Sequence, residues 1–184
     1  MRVITGTARG RRLETLPGED TRPTGEKVKE GLFSAIQFEI EGRRVLDLFA
    51  GSGQLGIEAL SRGAAGCVFV DRSREAVEVI RRNLKAANLT QNTQVLNLDA
   101  DAYLQRPGDR FDLVFLDPPY ASGLQEPMLQ KVGPLVNDGG AVICESDGSQ
   151  TLPETVGGLS LRRTYRYGRV ALWLYRKQNE MPKD

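Results

Sequence analysis

Between residues 44 and 145, short apolar runs alternate with amphipathic segments, and this alternation limits the possible folds more than any other feature of the chain. The apolar runs predict buried strands, and the segments between them predict helices. Strands that alternate with helices at this interval indicate right-handed βαβ units in a doubly wound parallel sheet. The predicted strands cover residues 45–49, 67–71, 95–98, 111–116 and 141–145, and the longer helices cover about 54–62, 74–88 and 124–136.

The two ends of the chain have a different pattern from the middle. Residues 2–16, with a turn near Gly10, predict a short N-terminal β-hairpin, and residues 159–175 predict a second hairpin with a tight turn at Gly168-Arg169. Thr24 is a candidate N-cap for a helix that precedes the first strand. A parallel sheet closed by a terminal hairpin is the class I methyltransferase arrangement. We therefore expect an α/β, Rossmann-like fold with a mostly parallel seven-stranded sheet, an N-terminal extension over 1–20 and one domain over 21–184.

The composition excludes several kinds of chemistry. Histidine is absent from all 184 residues, which removes the Ser-His triad, the commonest general base and the commonest metal ligand. The two cysteines, Cys67 and Cys144, lie inside apolar runs, so we expect buried free thiols and no bound metal. No apolar stretch approaches the length of a membrane span, and the N-terminus lacks a signal-peptide pattern, so we expect a cytoplasmic protein without a membrane partner.

The net charge of +1 conceals an uneven distribution of charge. Residues 1–12 carry four arginines and no acid, and residues 155–179 carry six basic residues and no acid, whereas 97–154 is strongly acidic. If both basic ends lie on one face, they form a phosphate-binding surface. Solubility and the protection of strand edges explain the same charges equally well. The candidate RNA-binding residues are Arg9, Arg11, Arg12, Arg22, Arg166 and Arg169.

A glycine-rich turn follows the first predicted strand. Gly51, Gly53 and Gly56 spell G-x-G-x-x-G, and glycines at such a bend allow positive φ and a close approach of the backbone to a ligand. Dinucleotide sites use the same string, and a tight turn that binds nothing is a further alternative. The motif alone therefore predicts a nucleotide or nucleoside site without identifying its ligand.

Acidic residues at the ends of three predicted strands narrow the choice of ligand. Asp47, beside the glycines, disfavours a pyrophosphate and favours a cationic group, which suits the sulfonium amino acid of S-adenosylmethionine. Asp71 follows Gly51 at the spacing at which an acid accepts both ribose hydroxyls, and Asp99 could accept from an adenine amino group. The candidate cofactor-binding residues are Thr24, Asp47, Phe49, Ala50, Gly51, Ser52, Gly53, Asp71, Arg72, Asp99 and Ala100.

The tetrapeptide Asp117-Pro118-Pro119-Tyr120 directly follows the fourth predicted strand. Carboxyl ends of strands face the ligand crevice in doubly wound sheets, so this segment should lie beside the nucleoside loop. An exocyclic base nitrogen is a poor nucleophile because its lone pair is delocalised into the ring. Asp117 and the Pro118 carbonyl could accept hydrogen bonds from its two N–H groups while Tyr120 stacks on the base. A proline-rich loop capped by Asp117 is the alternative. The predicted catalytic residues are Asp117, Pro118, Pro119 and Tyr120.

These motifs together resemble the RsmD family of 16S ribosomal RNA guanine-N2 methyltransferases over nearly the whole chain. The segments that single out this family are Arg9-Gly10-Arg11-Arg12-Leu13 and Arg22-Pro23-Thr24, although Lys27 and Lys29 stand where the family usually has arginine. The resemblance implies methylation of guanine 966 within the 30S subunit or an assembly intermediate. It also implies that the hairpin grips RNA and that Arg22-Pro23-Thr24 borders the cofactor pocket.

Two other functions stay open at this point. A DNA methyltransferase acting on adenine N6 or cytosine N4 uses the same tetrapeptide, but such enzymes commonly carry a target-recognition domain for which we expect no room in this chain. A nonenzymatic RNA-binding module with a vestigial cofactor site is the other alternative, and the intact Asp47, Asp71, Asp117 and Tyr120 disfavour it. From its size, we expect the protein to be a monomer.

Overall fold

The computed structural model describes residues 1–18, 25–106 and 108–179. In this part of the chain the helices are α1 (Gly25–Ala35), α2 (Gln54–Ser61), α3 (Arg74–Ala86), α4 (Ala100–Leu104) and α5 (Gln125–Val132). The strands are β1 (Arg44–Leu48), β2 (Gly66–Asp71), β3 (Thr93–Asn97), β4 (Phe111–Leu116), β5 (Val136–Asp147), β6 (Thr155–Val156), β7 (Leu159–Tyr167) and β8 (Val170–Lys177). None of these helices has the length and apolar content needed to cross a bilayer.

All the strands join one sheet in the order β3-β2-β1-β4-β5-β8-β7-β6. Strands β1 to β5 are parallel, and β8 runs antiparallel to β5 and pairs with β7 in the terminal hairpin. The predicted class I methyltransferase architecture is confirmed. The sheet has one strand more than the seven predicted, because β6, only two residues long, pairs with β7 at the edge. A strand this short carries no alternation of apolar and polar residues from which it could be recognised.

Strands β1, β2 and β4 are buried on both faces, which explains their almost continuously apolar sequences, whereas the edge strand β3 is only partly buried. One core cluster contains Val45, Phe115 and Ile143 and extends to α1, α2 and α3. The other contains residues such as Leu46 and Val114 and extends to α4 and α5. The helices thus cover opposite faces, and the strands' carboxyl ends remain open as a crevice at one edge.

Residues 1–18, which we call the N-terminal arm, pack against the first of these faces. The amide of Val3 donates to Arg11 and that of Leu13 donates to Met1, so the predicted antiparallel pairing is confirmed, although only Arg2 and Arg12 form a bridge. Val3 and Leu13 are buried in the core. The predicted boundary between residues 20 and 21 lies outside the described residues and stays a prediction.

The tip of the arm fits closely against the end of α2. Gly6 has a φ of 90°, and a Cβ added to it would lie 1.8 Å from the carbonyl oxygen of Ser61. The amide of Thr7 donates to that carbonyl, and the hydroxyl of Ser61 accepts from the amide of Ala8. Only glycine combines this backbone conformation with the close approach.

Two predicted boundaries differ from the structure for identifiable reasons. The helix expected over 124–136 ends at Val132 and continues as a 3-10 turn, Gly133–Leu135, because Pro134 has no amide to continue the α-helical bonds. Strand β5 starts earlier than predicted, at Val136, and its pairing with β4 contains an irregularity between Phe111 and Leu113. The polar start of β5 therefore gave no strand pattern in the sequence.

Candidate active site

A crevice of about 910 Å³ opens along the carboxyl ends of the parallel strands. Each of the five parallel strands, at its end or just beyond it, brings one acidic residue to the walls: Asp47, Asp71, Asp99, Asp117 and Glu145. The predicted candidates Phe49, Ala50, Ser52, Arg72, Ala100, Pro118, Pro119 and Tyr120 also line it. The structure therefore brings the predicted cofactor and catalytic groups into one space, although Arg22 and Thr24 lie outside the described residues.

The glycine loop between β1 and α2 has an unusual backbone. Phe49, a bulky aromatic residue, has a φ of 63°, and Gly53 caps α2 with a φ of 80°. Asp47 is buried, and its carboxylate accepts from the amide of Gly56 at 2.9 Å, which ties the end of β1 to the first turn of α2. A left-handed conformation at a residue such as Phe49 persists only where its surroundings impose it, and such residues cluster at ligand sites.

Asp71 holds the other side of the same loop. One of its carboxylate oxygens accepts from the amide of Gly51 at 2.9 Å, and the other accepts from the amide of Ser73 at 2.8 Å. Gly51 and Gly53 shape the loop but do not themselves line the crevice. Because each carboxylate oxygen has two lone pairs, these bonds leave Asp71 able to accept from a ligand as well.

The predicted adenine-binding segment has a structural function too. Asp99 is the N-cap of α4, where its side chain accepts from the amides of Asp101 and Ala102. The cap fixes the carboxylate at the crevice wall beside Ala100. Among the described residues, no group of three or more His, Cys, Asp or Glu side chains is placed to hold a metal ion.

The tetrapeptide starts where β4 ends. The amide of Asp117 donates to the carbonyl of Leu48 on β1, and Tyr120 begins a 3-10 turn that extends to Ser122. The hydroxyl of Tyr120 donates to a carboxylate oxygen of Glu145. The tyrosine predicted to stack on the base is thus also anchored at the outer edge of its ring.

Sequence reasoning missed Glu145. It comes near the end of the fifth predicted strand, so the rule that identified Asp71 and Asp99 would also have found it. Burial, with the charges of Asp117 and Glu145 close by, raises the pKa of the Cys144 thiol, so this cysteine stays protonated. The crevice therefore offers carboxylates and a phenol rather than a thiolate nucleophile.

Sequence reasoning also missed Asn83, a buried residue of α3. Its side-chain oxygen accepts from the amide of Glu14 at 2.8 Å, and its side-chain nitrogen donates to the carbonyls of Glu14 and Ser52, both at 2.9 Å. One side chain thus joins the N-terminal arm to the glycine loop. An asparagine on an amphipathic helix gives no sign of such contacts in the sequence.

The two basic segments do not share one face of the sheet. The arm packs into the first core cluster, whereas Arg166 is paired with Ala171, whose side chain belongs to the second cluster. Arg9, Arg11 and Arg12 are exposed on the arm, and Arg166 and Arg169 are exposed beside the β7–β8 turn. That turn leads into Val170, which lines the crevice. Arg166 also donates to the carbonyl of Gly148 and lies over the Trp173 ring.

Comparison with known proteins agrees with this architecture. The model of the family described as conserved hypothetical protein 95 matches residues 1–176. A Bacillus subtilis protein, YlbH, whose name assigns it provisionally as an rRNA methyltransferase, is 43% identical over 97% of this chain and 100% of its own length. Ribosomal RNA small subunit methyltransferase D of Escherichia coli strain K12 is 36% identical over 100% of this chain and 93% of its own length.

A solved structure extends the similarity to three dimensions. The Escherichia coli protein yhhF, described provisionally as a methyltransferase, superimposes with a TM-score of 0.87 at 36% identity. The match covers 98% of this chain and 99% of that one. The fold, the strand-end site and these whole-chain similarities agree, and the chain belongs to the RsmD family of methyltransferases.

Proposed function

We propose that this protein transfers the methyl group of S-adenosylmethionine to the exocyclic N2 of a guanine in 16S ribosomal RNA. The observation that carries the proposal is that Asp117, Pro118 and Tyr120 line the same crevice as residues of the glycine loop. The target is guanine 966 by resemblance to the family, and the name of the Escherichia coli relative supports a small-subunit rRNA substrate.

The crevice suits a cationic nucleoside. S-adenosylmethionine supplies an electrophilic methyl group when it is bound. Asp47 gives its end of the crevice a negative charge, which favours the positively charged amino acid portion. Asp71 has lone pairs for the ribose hydroxyls, and Asp99 is held where it can accept from the adenine amino group. Phe49, Ala50, Ser52, Arg72 and Ala100 form the remaining wall.

Asp117 and the carbonyl of Pro118 act on the base. They accept hydrogen bonds from the two N–H groups of the amino group and so favour the pyramidal, more nucleophilic nitrogen of the transition state. Asp117 can take the one proton that the nitrogen loses after the N–C bond has formed. Tyr120 stacks on the base and fixes it for in-line attack. Positioning supplies most of the rate enhancement, so the reaction needs neither histidine nor a metal.

The basic segments bind RNA. Arg9, Arg11 and Arg12 neutralise phosphates along the exposed surface of the arm, and Arg166 and Arg169 do so beside the β7–β8 turn, which leads into Val170 at the crevice wall. The substrate is the 30S subunit or an assembly intermediate, whose shape selects one guanine. The protein acts as a monomer, since described residues of a single chain line the crevice.

A methyl-transfer assay tests the proposal directly. The protein is incubated with tritiated S-adenosylmethionine and with deproteinised 16S rRNA, 30S particles or DNA, and the methylated nucleosides are identified by mass spectrometry. N2-methylguanosine from rRNA or particles is the expected product. N6-methyladenine or N4-methylcytosine from DNA would replace the proposal by the DNA-methyltransferase alternative, and binding without methylation would favour the nonenzymatic one.

A further inference from the structure

Glu145 lies next to the predicted catalytic aspartate. Strands β4 and β5 are parallel and in register, with Leu116 beside Cys144. Asp117 directly follows Leu116 at the end of β4, and Glu145 directly follows Cys144 within β5. Neighbouring strands are about 4.8 Å apart. Both carboxylates line the crevice.

Tyr120 orients the second carboxylate. The hydroxyl of Tyr120 donates to one oxygen of Glu145. This bond holds the carboxylate at the edge of the ring on which the base is proposed to stack. A carboxylate has about four lone-pair sites and can accept from several donors at once, so a base can bind it in addition to Tyr120.

Guanine differs from adenine and cytosine at a ring nitrogen next to the carbon that bears the amino group. Guanine carries a proton at N1, next to the carbon that bears its amino group, whereas adenine N1 and cytosine N3 carry a lone pair at the equivalent position. When Asp117 and the Pro118 carbonyl accept hydrogen bonds from the amino group, the adjacent acceptor meets N1. A carboxylate there attracts the N1 proton of guanine and repels the lone pair of the other two bases.

We propose that Glu145 is the specificity-determining residue of this site and accepts the N1 proton of the target guanine. The inference rests on the proposed function and adds to it a reason, within this chain, for guanine rather than adenine or cytosine. A charge-assisted hydrogen bond of this kind accounts for about 10- to 100-fold in discrimination.

The test replaces the target guanine by 2,6-diaminopurine, which keeps the 2-amino group but has a lone pair at N1. The RNA is ligated from synthetic pieces and, where particles are the substrate, reconstituted into them. Wild-type protein should methylate the 2-amino group of diaminopurine with a kcat/KM about 10- to 100-fold below that for guanine. In Glu145→Gln the side-chain oxygen can still accept from Tyr120 while the amide can donate to N1, so this preference should shrink to near one or reverse.

The control variant is Glu126→Gln, an exposed carboxylate of α5 that does not line the crevice. It should keep the wild-type preference, and calorimetry should show cofactor binding by both variants. If folded, cofactor-binding Glu145→Gln keeps the wild-type preference for guanine over diaminopurine, the inference is overturned. Equal methylation of guanine and diaminopurine by the wild type also overturns it, and this measurement requires no variant. Failure of the wild type to methylate guanine-containing RNA instead overturns the proposed function.

Discussion

Replacement of Glu58 by glutamine should detach the N-terminal arm and destabilise the whole protein. Glu58 is a buried residue of α2, and its carboxylate accepts from the amides of Ile4 and Thr5 at 2.8 and 3.0 Å. It also forms ion pairs with buried Lys29 at 3.2 Å and with Arg62 at 2.9 Å. Four donors thus converge on one carboxylate. In Glu58→Gln an NH2 group, which is itself a donor, takes the place of one of the two oxygens.

The size of the effect follows from the burial of these groups. Removal of one partner of a buried ion pair costs about 3–5 kcal/mol, because the remaining charge stays uncompensated. The free energy of unfolding falls with urea by about 1–3 kcal/mol per molar, and this slope increases with protein size. At about 2–3 kcal/mol per molar, the urea midpoint of Glu58→Gln should fall by roughly 1–2.5 M. Trypsin should also cleave the arm sooner at Arg9, Arg11 or Arg12, since Ile4 and Thr5 bind different oxygens of Glu58 and one of these amides loses its acceptor.

The pH dependence gives an independent measure of the same contact. Burial lowers the pKa of Lys29 below 10.5, and the charge of Glu58 partly offsets this shift. Without that charge the folded-state pKa of Lys29 falls further. Between this pKa and 10.5 the unfolded chain binds more protons than the folded one, so stability should rise with pH over this range, and more steeply in Glu58→Gln than in the wild type.

The matched control is Glu78→Gln, which removes an exposed pair with Arg74 on α3. Exposed pairs contribute little to stability, so its urea midpoint and its tryptic pattern should be those of the wild type. Equal midpoints and equal rates of arm cleavage for the two variants would refute the reasoning about Glu58.

Three further changes test other parts of the molecule. Asp117→Ala should lower methyl transfer by at least about 10²- to 10³-fold while calorimetry finds near-normal cofactor binding, and lost cofactor affinity would assign Asp117 a different function. Joint replacement of Arg9, Arg11 and Arg12 by alanine should weaken RNA binding and flatten its dependence on salt, so an unchanged salt titration would remove the arm from the RNA-binding surface. Burial alone would raise the pKa of Asp112, but bonds from the Arg44 amide and the Asn137 side chain outweigh it and lower the pKa below 3.8. Its contribution to stability is therefore present above that value and lost as the pH falls through the folded-state pKa, so urea midpoints of Asp112→Asn and the wild type should differ near neutral pH and converge in acid.

The parts of the site that could be predicted from the sequence are those with a local signature. The glycine loop and Asp117-Pro118-Pro119-Tyr120 each follow an apolar run, so the strand pattern placed them at one edge of the sheet. Tyr103 and Trp173, which belong to no such motif, are buried in the core. Burial on both faces gives the inner strands apolar sequences that can be recognised, and the shared direction of the parallel strands places their carboxyl ends at one edge of the sheet.

The contacts that could not be predicted join residues far apart in the sequence. Glu58 binds the arm across 53 and 54 positions, and Asn83 binds Glu14 across 69. Tyr120 and Glu145 are 25 positions apart. Neither a periodic pattern nor a short motif records such pairs, because each partner is an ordinary polar residue in its own segment.

These long-range contacts join the arm to the glycine loop of the proposed cofactor site. Asn83 bonds to the backbone of both Glu14 and Ser52, so movement of the arm must either carry the glycine loop with it or leave buried backbone groups unpaired. Each unpaired group costs about 1–3 kcal/mol, a large part of the stability of a domain of this size. Glu58 adds the same constraint through α2, whose first turn is tied to Asp47 by the amide of Gly56. Since the arm carries the arginines proposed to bind RNA, we expect the protein core to fix the position of the RNA relative to the proposed cofactor site.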